Sequence, residues 1–248
     1  MQAIQEALDG IRNTFDFVSG ANDVIVVHQK DGSIACSVFS VQTSAHTVNR
    51  HLLGKDVQVF LNGQVTSLRM MIGNDGRCVF EGGSYVPPLH EIARLPLRDG
   101  RNSLDFRAGG NLLANAGLFS WKWCDRIVIV DIDGTITRTD SGGVLASSEF
   151  GQQLGLVHAH KGVCSTMSQV ASAGYRLLFL TARPITRSEA TRKYLNTIGH
   201  EETPPVMMPE GALITSAMGT LGTMANVWKD LKNYKYTQLR EIEGLFTR

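Results

Sequence analysis

A chain of 248 residues, 43% of them hydrophobic, can bury a sizeable core as one large domain or two small ones. Its 24 basic and 23 acidic residues leave a net charge of +1, so the global balance favours neither nucleic acid nor strong attraction to an anionic membrane. No apolar run approaches the roughly eighteen residues of a membrane span, and no basic region precedes an apolar stretch at the amino terminus, so neither a span nor a secretory leader is expected.

Along the chain, Ile4, Leu8, Ile11, Phe15 and Val18 recur at intervals of four and three, one apolar stripe on an amphipathic helix. Gln5, Glu6, Asp9, Arg12, Asn13 and Asp16 make its other face acidic rather than basic, which leaves packing on the core and docking on a membrane as equal alternatives. From Asp23 the pattern becomes short runs broken by turns. Val24-Ile25-Val26-Val27 and Ile34 to Val41 flank Lys30-Asp31-Gly32-Ser33, a hairpin signal repeated at Asn62-Gly63 after Val57 to Leu61, and at Asn74-Asp75-Gly76 between Leu68–Ile72 and Cys78-Val79-Phe80. Three such turns predict a small antiparallel sandwich. Ser103 to Phe106 and Leu118 to Trp123 add at least two further strands.

After that the alternation turns to α/β. Ile127-Val128-Ile129-Val130 has no polar alternation and reads as a strand covered on both faces. Gly162 to Ala173 is a predicted helix, Tyr175 to Leu180 a second buried strand, Ser188 to Thr197 a helix, and Gly211 to Ile214 the start of a third strand. Two more helices are predicted, Met218 to Leu231 and Thr237 to Phe246, the latter with Leu239, Ile242 and Leu245 on one side. Cys36, Cys78, Cys124 and Cys164 form no C-x-x-C pair and have no histidine at a zinc-ligand interval, as expected of reduced thiols in a cytoplasmic protein.

The chemistry concentrates at Asp131-Ile132-Asp133-Gly134-Thr135, directly after the Ile-Val-Ile-Val strand. Asp and Gly favour turns for local reasons, but substrates of parallel sheets bind beyond the carboxyl ends of the strands, where both carboxylates would sit. One can attack phosphorus while the other passes a proton to the leaving oxygen. Gly134 permits a sharp turn, and Thr135 can return a hydroxyl to it. Thr181 ends the second strand, Arg183 offers a fork of donors suited to phosphate, and Lys229 offers a cation to offset the combined negative charge.

That order, Asp-x-Asp-x-Thr, then a strand-end Thr, then a Lys, resembles the haloacid-dehalogenase superfamily of phosphotransferases. The decapeptide Asp131 to Asp140, Trp121-Lys122-Trp123 before it, and Thr181-Ala182-Arg183 and Pro209-Glu210-Gly211 after it resemble the catalytic region of the lipins, magnesium-dependent phosphatidate phosphatases. Asp23 to Gln29, Asp31-Gly32 and Cys36-Ser37-x-Phe39 resemble the lipin amino-terminal region, so the resemblance covers nearly the whole chain, without the long polar insert of larger lipins.

The resemblance implies an α/β Rossmann-like haloacid-dehalogenase domain, an all-β immunoglobulin-like sandwich domain and an amino-terminal amphipathic helix. The helix would occupy 1–20, the sandwich 21–123, pairing amino-terminal strands with those of 97–123, and the catalytic domain 124–248. It makes Asp131 the nucleophile, Asp133 the acid/base, and Thr181 and Lys229 the phosphate-fixing pair, beside which Thr135 and Arg183 stand as further candidates for phosphate binding. Mg2+ would be held by the Asp131 side chain and the Asp133 carbonyl. Ile4, Leu8, Ile11 and Phe15 would reach a membrane, peripherally and at the endoplasmic reticulum, and no nucleic-acid partner is implied. The family completes its metal site with a Gly-Asn-Arg and acidic segment that has no counterpart before Arg248, so the catalytic domain is expected to be incomplete at its carboxyl end. The implied activity is phosphatidate to diacylglycerol and phosphate through an aspartyl-phosphate. The alternatives are a non-catalytic phosphatidate-binding or regulatory module and a soluble phosphatase of small metabolites. Oligomeric state stays open.

Overall fold

The computed structural model describes residues 19–43, 54–138, 158–216 and 227–246, except for the side chains of 200, 201 and 227–232. The stripe of Ile4, Leu8, Ile11 and Phe15 lies outside the described residues.

The predicted hairpins form. β2 (Val24–His28) pairs antiparallel with β3 (Ile34–Cys36) across a turn in which the Asp31 carboxylate accepts the Ser33 N–H at 2.9 Å and its hydroxyl at 2.7 Å. β5 (Asp56–Leu61) and β6 (Gln64–Ile72) meet at Asn62-Gly63, both with positive φ, 49° and 79°, the mirror-image turn that matches strand twist. β7 (Cys78–Val79) follows the Gly76 turn, and β8 (Gly100–Ala108) and β9 (Asn111–Lys122) form the longest hairpin. Between β7 and β8 lies a single helical turn, Leu89–Ile92.

These strands hydrogen-bond as one seven-stranded sheet in the order β3-β2-β9-β8-β5-β6-β7. The expectation of a purely antiparallel arrangement needs correction, because β2 pairs parallel with β9 from Val24↔Leu118 to His28↔Lys122. No local turn encodes that contact, which joins segments about ninety residues apart. The expected pairing of amino-terminal strands with residues 97–123 is present in β2–β9 and β5–β8. Val24 and Val26 near one end share a core with Leu68, Met70 and Ile72 near the other, along with Phe39, Val57, Val59, Leu104 and Phe106. At roughly 4.8 Å between strands a flat sheet would keep these apart, so the sheet curls around its apolar face.

The opposite face of β2 and β9 belongs to a second core. Ile25, Val27, Phe119 and Trp121 pack with Leu178, Leu180, Ala212, Ile214, Ile242 and Leu245. These come from a three-stranded parallel sheet in the order β10-β11-β12, with β10 at Arg126–Asp131, β11 at Tyr175–Pro184 and β12 at Gly211–Ser216, and from a closing helix. Helix α1 (Val163–Ser172) and helix α2 (Ser188–Thr197) match the predicted segments. The two predicted carboxyl-terminal helices are corrected in part: Val227–Phe246 is one continuous helix, α3, running through 232–236 where a break was expected. Tyr234 packs against the second core in that stretch, which makes helix there worth keeping. Leu239, expected on the buried side, is 36% exposed, whereas Ile242 and Leu245 are buried. The Gln29 side-chain amide donates to the Leu245 carbonyl at 2.7 Å, satisfying one of the helix's terminal acceptors.

β12 is the edge of its sheet, and two side chains from the amino-terminal region close that edge. The Asn22 amide donates to Thr215 O at 2.7 Å while its carbonyl accepts Thr215 N–H at 2.8 Å. The Asp23 carboxylate accepts Leu213 N–H, Gly117 N–H and Arg192 Nη2, each at 2.7 Å. β1 (Gly20–Ala21), paired with β4 (Val41–Gln42), approaches the turn after β11 so closely that a Cβ on Gly20 would lie 1.9 Å from Ile185 O. Glycine is required there.

Candidate active site

The three parallel strands end on one side, and the chemistry gathers there. Asp131 is the last residue of β10, in register with Leu180 of β11, so Thr181 follows beside it. Between Leu180↔Ile214 and Pro184↔Ser216 the β11–β12 register slips by two residues, because Thr181, Ala182 and Arg183 bulge. Bulges of this kind re-aim side chains at sheet ends. Thr181 is fully buried and Arg183 is 9% exposed.

Past Asp131 the backbone folds tightly around the Ile132 carbonyl, which accepts N–H groups from Thr135 (3.4 Å), Ile136 (2.9 Å) and Thr137 (2.9 Å). Gly134 sits at φ +85°, as a sharp turn requires. The hydroxyl that returns to this turn is that of Thr137, which accepts Gly134 N–H at 3.1 Å and donates to Ile132 O at 3.3 Å. Thr135, expected in that role, is exposed and its hydroxyl does not make those bonds. The difference follows from geometry: two further residues bring the chain back over the carbonyl.

Asp131 and Asp133 are held differently. Lys235 Nζ donates to Asp131 Oδ2 at 2.6 Å. Asp131 Oδ1 is buried and, among the described residues, has no hydrogen-bond partner. Asp133 meets the two residues expected on phosphate. Thr181 Oγ1 donates to Asp133 Oδ2 at 2.7 Å, and Arg183 donates to Oδ1 through Nε at 3.1 Å and Nη2 at 2.8 Å. Arg183 N–H donates to Thr181 Oγ1 at 3.1 Å, and the guanidinium lies 5.7 Å from the Tyr194 ring centroid.

Lys235 was missed in the sequence because it fell in the expected break between two helices. It stands seven residues before buried Ile242, two turns along the same helix face, so the packing of Ile242 carries Lys235 to Asp131. The spacing of Tyr234, Ile242 and Leu245 was the available signal. Lys229 lies in the same helix, with its side chain outside the described set.

A buried carboxylate oxygen without a partner is costly unless something completes it. Asp131 Oδ1 is a hard donor suited to Mg2+, and the Asp133 carbonyl offers the same chemistry; this cation commonly takes one or two protein carboxylates and fills its octahedron with water and phosphate. Among the described residues no three His, Cys, Asp or Glu side chains converge on a cation position. The described residues also contain no helix long and apolar enough to cross a membrane.

The model of LNS2 (Lipin/Ned1/Smp2) matches residues 84–248, and that of the lipin N-terminal conserved region matches residues 1–86. Phosphatidic acid phosphohydrolase 1 of Saccharomyces cerevisiae is 35% identical over 160 residues, 63% of this chain and 18% of its own length. Phosphatidate phosphatase PAH1 of Arabidopsis thaliana is 32% identical over 167 residues, 65% of this chain and 18% of its own. Nuclear elongation and deformation protein 1 of Schizosaccharomyces pombe is 31% identical over 159 residues, covering 63% and 23%. The matched stretch thus spans about a fifth of these relatives.

Proposed function

The chain belongs to the lipin (Lipin/Ned1/Smp2) family, and from that membership we propose that it is a magnesium-dependent phosphatidate phosphatase working through an aspartyl-phosphate. Relatives named phosphatidate phosphatase support the substrate. The observation that carries the chemistry is Asp131 at a parallel strand end, with Lys235 on one carboxylate oxygen and the other oxygen buried and, among the described residues, without a hydrogen-bond partner.

In the first step an Asp131 oxygen attacks phosphorus, the bond from phosphorus to the glycerol oxygen breaks, and Asp133 gives that oxygen its proton. Diacylglycerol leaves. In the second, Asp133 takes a proton from water as its oxygen attacks phosphorus, and the bond to Asp131 breaks to release phosphate. Lys235 faces the nucleophile and offsets negative charge as the dianion approaches. Asp131 and the Asp133 carbonyl would hold Mg2+, which when bound supplies Lewis-acid neutralisation of the phosphate oxygens. We read the curled sheet as the family's immunoglobulin-like layer and the three-stranded unit as its haloacid-dehalogenase domain. Contact with the bilayer is peripheral, at the endoplasmic reticulum by the family resemblance.

The test is phosphate release from phosphatidate vesicles with and without magnesium. Release that requires both the cation and Asp131 is expected; release unaffected by Asp131→Asn would remove the proposal.

A further inference from the structure

We infer that Arg183 is a positioning residue for the acid/base Asp133, rather than a group that grips the substrate phosphate. This rests on the phosphatase reading above and assigns a role within the same site.

A phosphate-gripping arginine presents its planar fork to two oxygens of the ligand. Arg183 spends two fork donors, Nε and Nη2, on one oxygen of Asp133, at 3.1 and 2.8 Å. Its backbone N–H holds Thr181 Oγ1, and that hydroxyl in turn holds the other Asp133 oxygen at 2.7 Å. Arg183 is 9% exposed, with its guanidinium against the Tyr194 ring. By contrast, the Asp133 side chain keeps about a third of its surface open at 34%. The arrangement is thus a buried cation behind a carboxylate that faces outward.

This geometry also distinguishes the two oxygens. Oδ1, fixed by two donors that cannot accept, is a poor seat for a proton. Oδ2 is held by a single hydroxyl, which can rotate and serve as donor or acceptor. The transferable proton therefore belongs on Oδ2. In the forward step it passes from Oδ2 to the departing glycerol oxygen as the bond from phosphorus to oxygen breaks, and in the second step Oδ2 recovers a proton from the attacking water. Arg183 exchanges no proton and keeps Oδ1 in place through both.

Leaving-group dependence separates the two roles. A glycerol alkoxide needs a proton to depart, whereas p-nitrophenolate leaves without one. A residue that serves the acid should matter for the first ester alone, while a phosphate grip should matter equally for both. We would measure kcat/KM for dioctanoyl phosphatidate and for p-nitrophenyl phosphate, with magnesium, on the full chain. For Arg183→Gln we expect kcat/KM on phosphatidate to fall about 100-fold, the scale of lost general-acid catalysis, and that on p-nitrophenyl phosphate to fall less than about fivefold. In an Asp133→Asn background the same substitution should add less than about threefold, because two residues that act as one unit are not additive. If thermal melting shows that Arg183→Gln is unfolded, Arg183→Lys, which keeps the charge and loses the fork, carries the comparison in the same direction. Equal losses on both esters, or a loss additive with Asp133→Asn, would overturn the inference and leave the phosphatase reading standing. Release from neither ester by the unaltered chain would bring down both.

Discussion

Two aspartates facing cations, Asp23 and Asp131, differ in how much of their hydrogen-bonding capacity the protein uses. Asp23 is 4% exposed at its side chain and saturated, with two backbone N–H groups and Arg192 on its oxygens, so it has nothing left to offer a ligand. Asp131 is 39% exposed at its side chain and bonded to Lys235 through one oxygen, with the other oxygen buried and without a hydrogen-bond partner among the described residues. Both are acidic residues at strand ends near the same sheet. The first spends its hydrogen-bonding capacity joining the curled sheet to β12, whereas the second reserves it.

The contrast breaks first at Asp131→Asn. Turnover should fall by at least about 10³-fold, while the melting temperature moves by no more than about 2 °C, as expected for a partly exposed polar exchange. Asp23→Ala should do the reverse. Removing one partner of a buried pair costs about 3–5 kcal/mol, which for a chain of this size lowers melting by about 10 °C, while the folded fraction keeps its kcat. A stable Asp23→Ala protein with lost turnover would erase the distinction.

Lys235→Met should reduce kcat about 100-fold, the scale of removing one preorganised electrostatic partner. A larger loss from Lys229→Met would restore the expectation that the sequence suggested. Thiol labelling reports on the junction side of the comparison. Burial raises Cys36 and Cys78 to about 12 and Cys164 to about 11, so at neutral pH exposed Cys124 should react first and the other three slowly. In Asp23→Ala, Cys36 should become faster, because it lies beside the joint; unchanged labelling would mean that the joint stays closed.

The smallest effect is expected at Glu202. Ser165 hydroxyl and the Cys164 and Ser165 N–H groups at the start of α1 hold its carboxylate below the ordinary 4.5. A lowered folded value means that this stabilisation is complete above the unfolded value and disappears as pH falls through the folded one. Melting followed from pH 7 downward should therefore be flatter in the acid range for Glu202→Gln, and parallel curves would refute the cap.

Much of this was legible in the residues, for identifiable reasons. Ile127 to Val130 and Leu177 to Leu180 are apolar runs and both become parallel strands, but only the second is buried throughout; β10 lies at the edge of its sheet with Ile129 42% exposed, which corrects the expectation of a strand covered on both faces. Asn62-Gly63 declared its hairpin through backbone preference alone. What failed to show was nonlocal. Nothing near Val24 announces a parallel partner at Leu118, and nothing near Thr181 announces a two-residue slip against β12. Lys235 was hidden by a local reading of Asn233-Tyr234-Lys235-Tyr236 as a break, when the packing of Tyr234 and Ile242 holds the helix together. Arg183 was visible as a donor, but its partner depended on a contact fifty residues back in the chain.

The proposed reaction forms a covalent bond between phosphorus and a side-chain oxygen of residue 131. Quenching the protein with phosphatidate and magnesium at steady state, reducing any acyl-phosphate with borohydride and locating the product by peptide mass spectrometry tests it directly. Conversion of Asp131 to homoserine, absent without substrate, is the predicted result. Conversion at another aspartate, or at none while phosphate is being released, would contradict it.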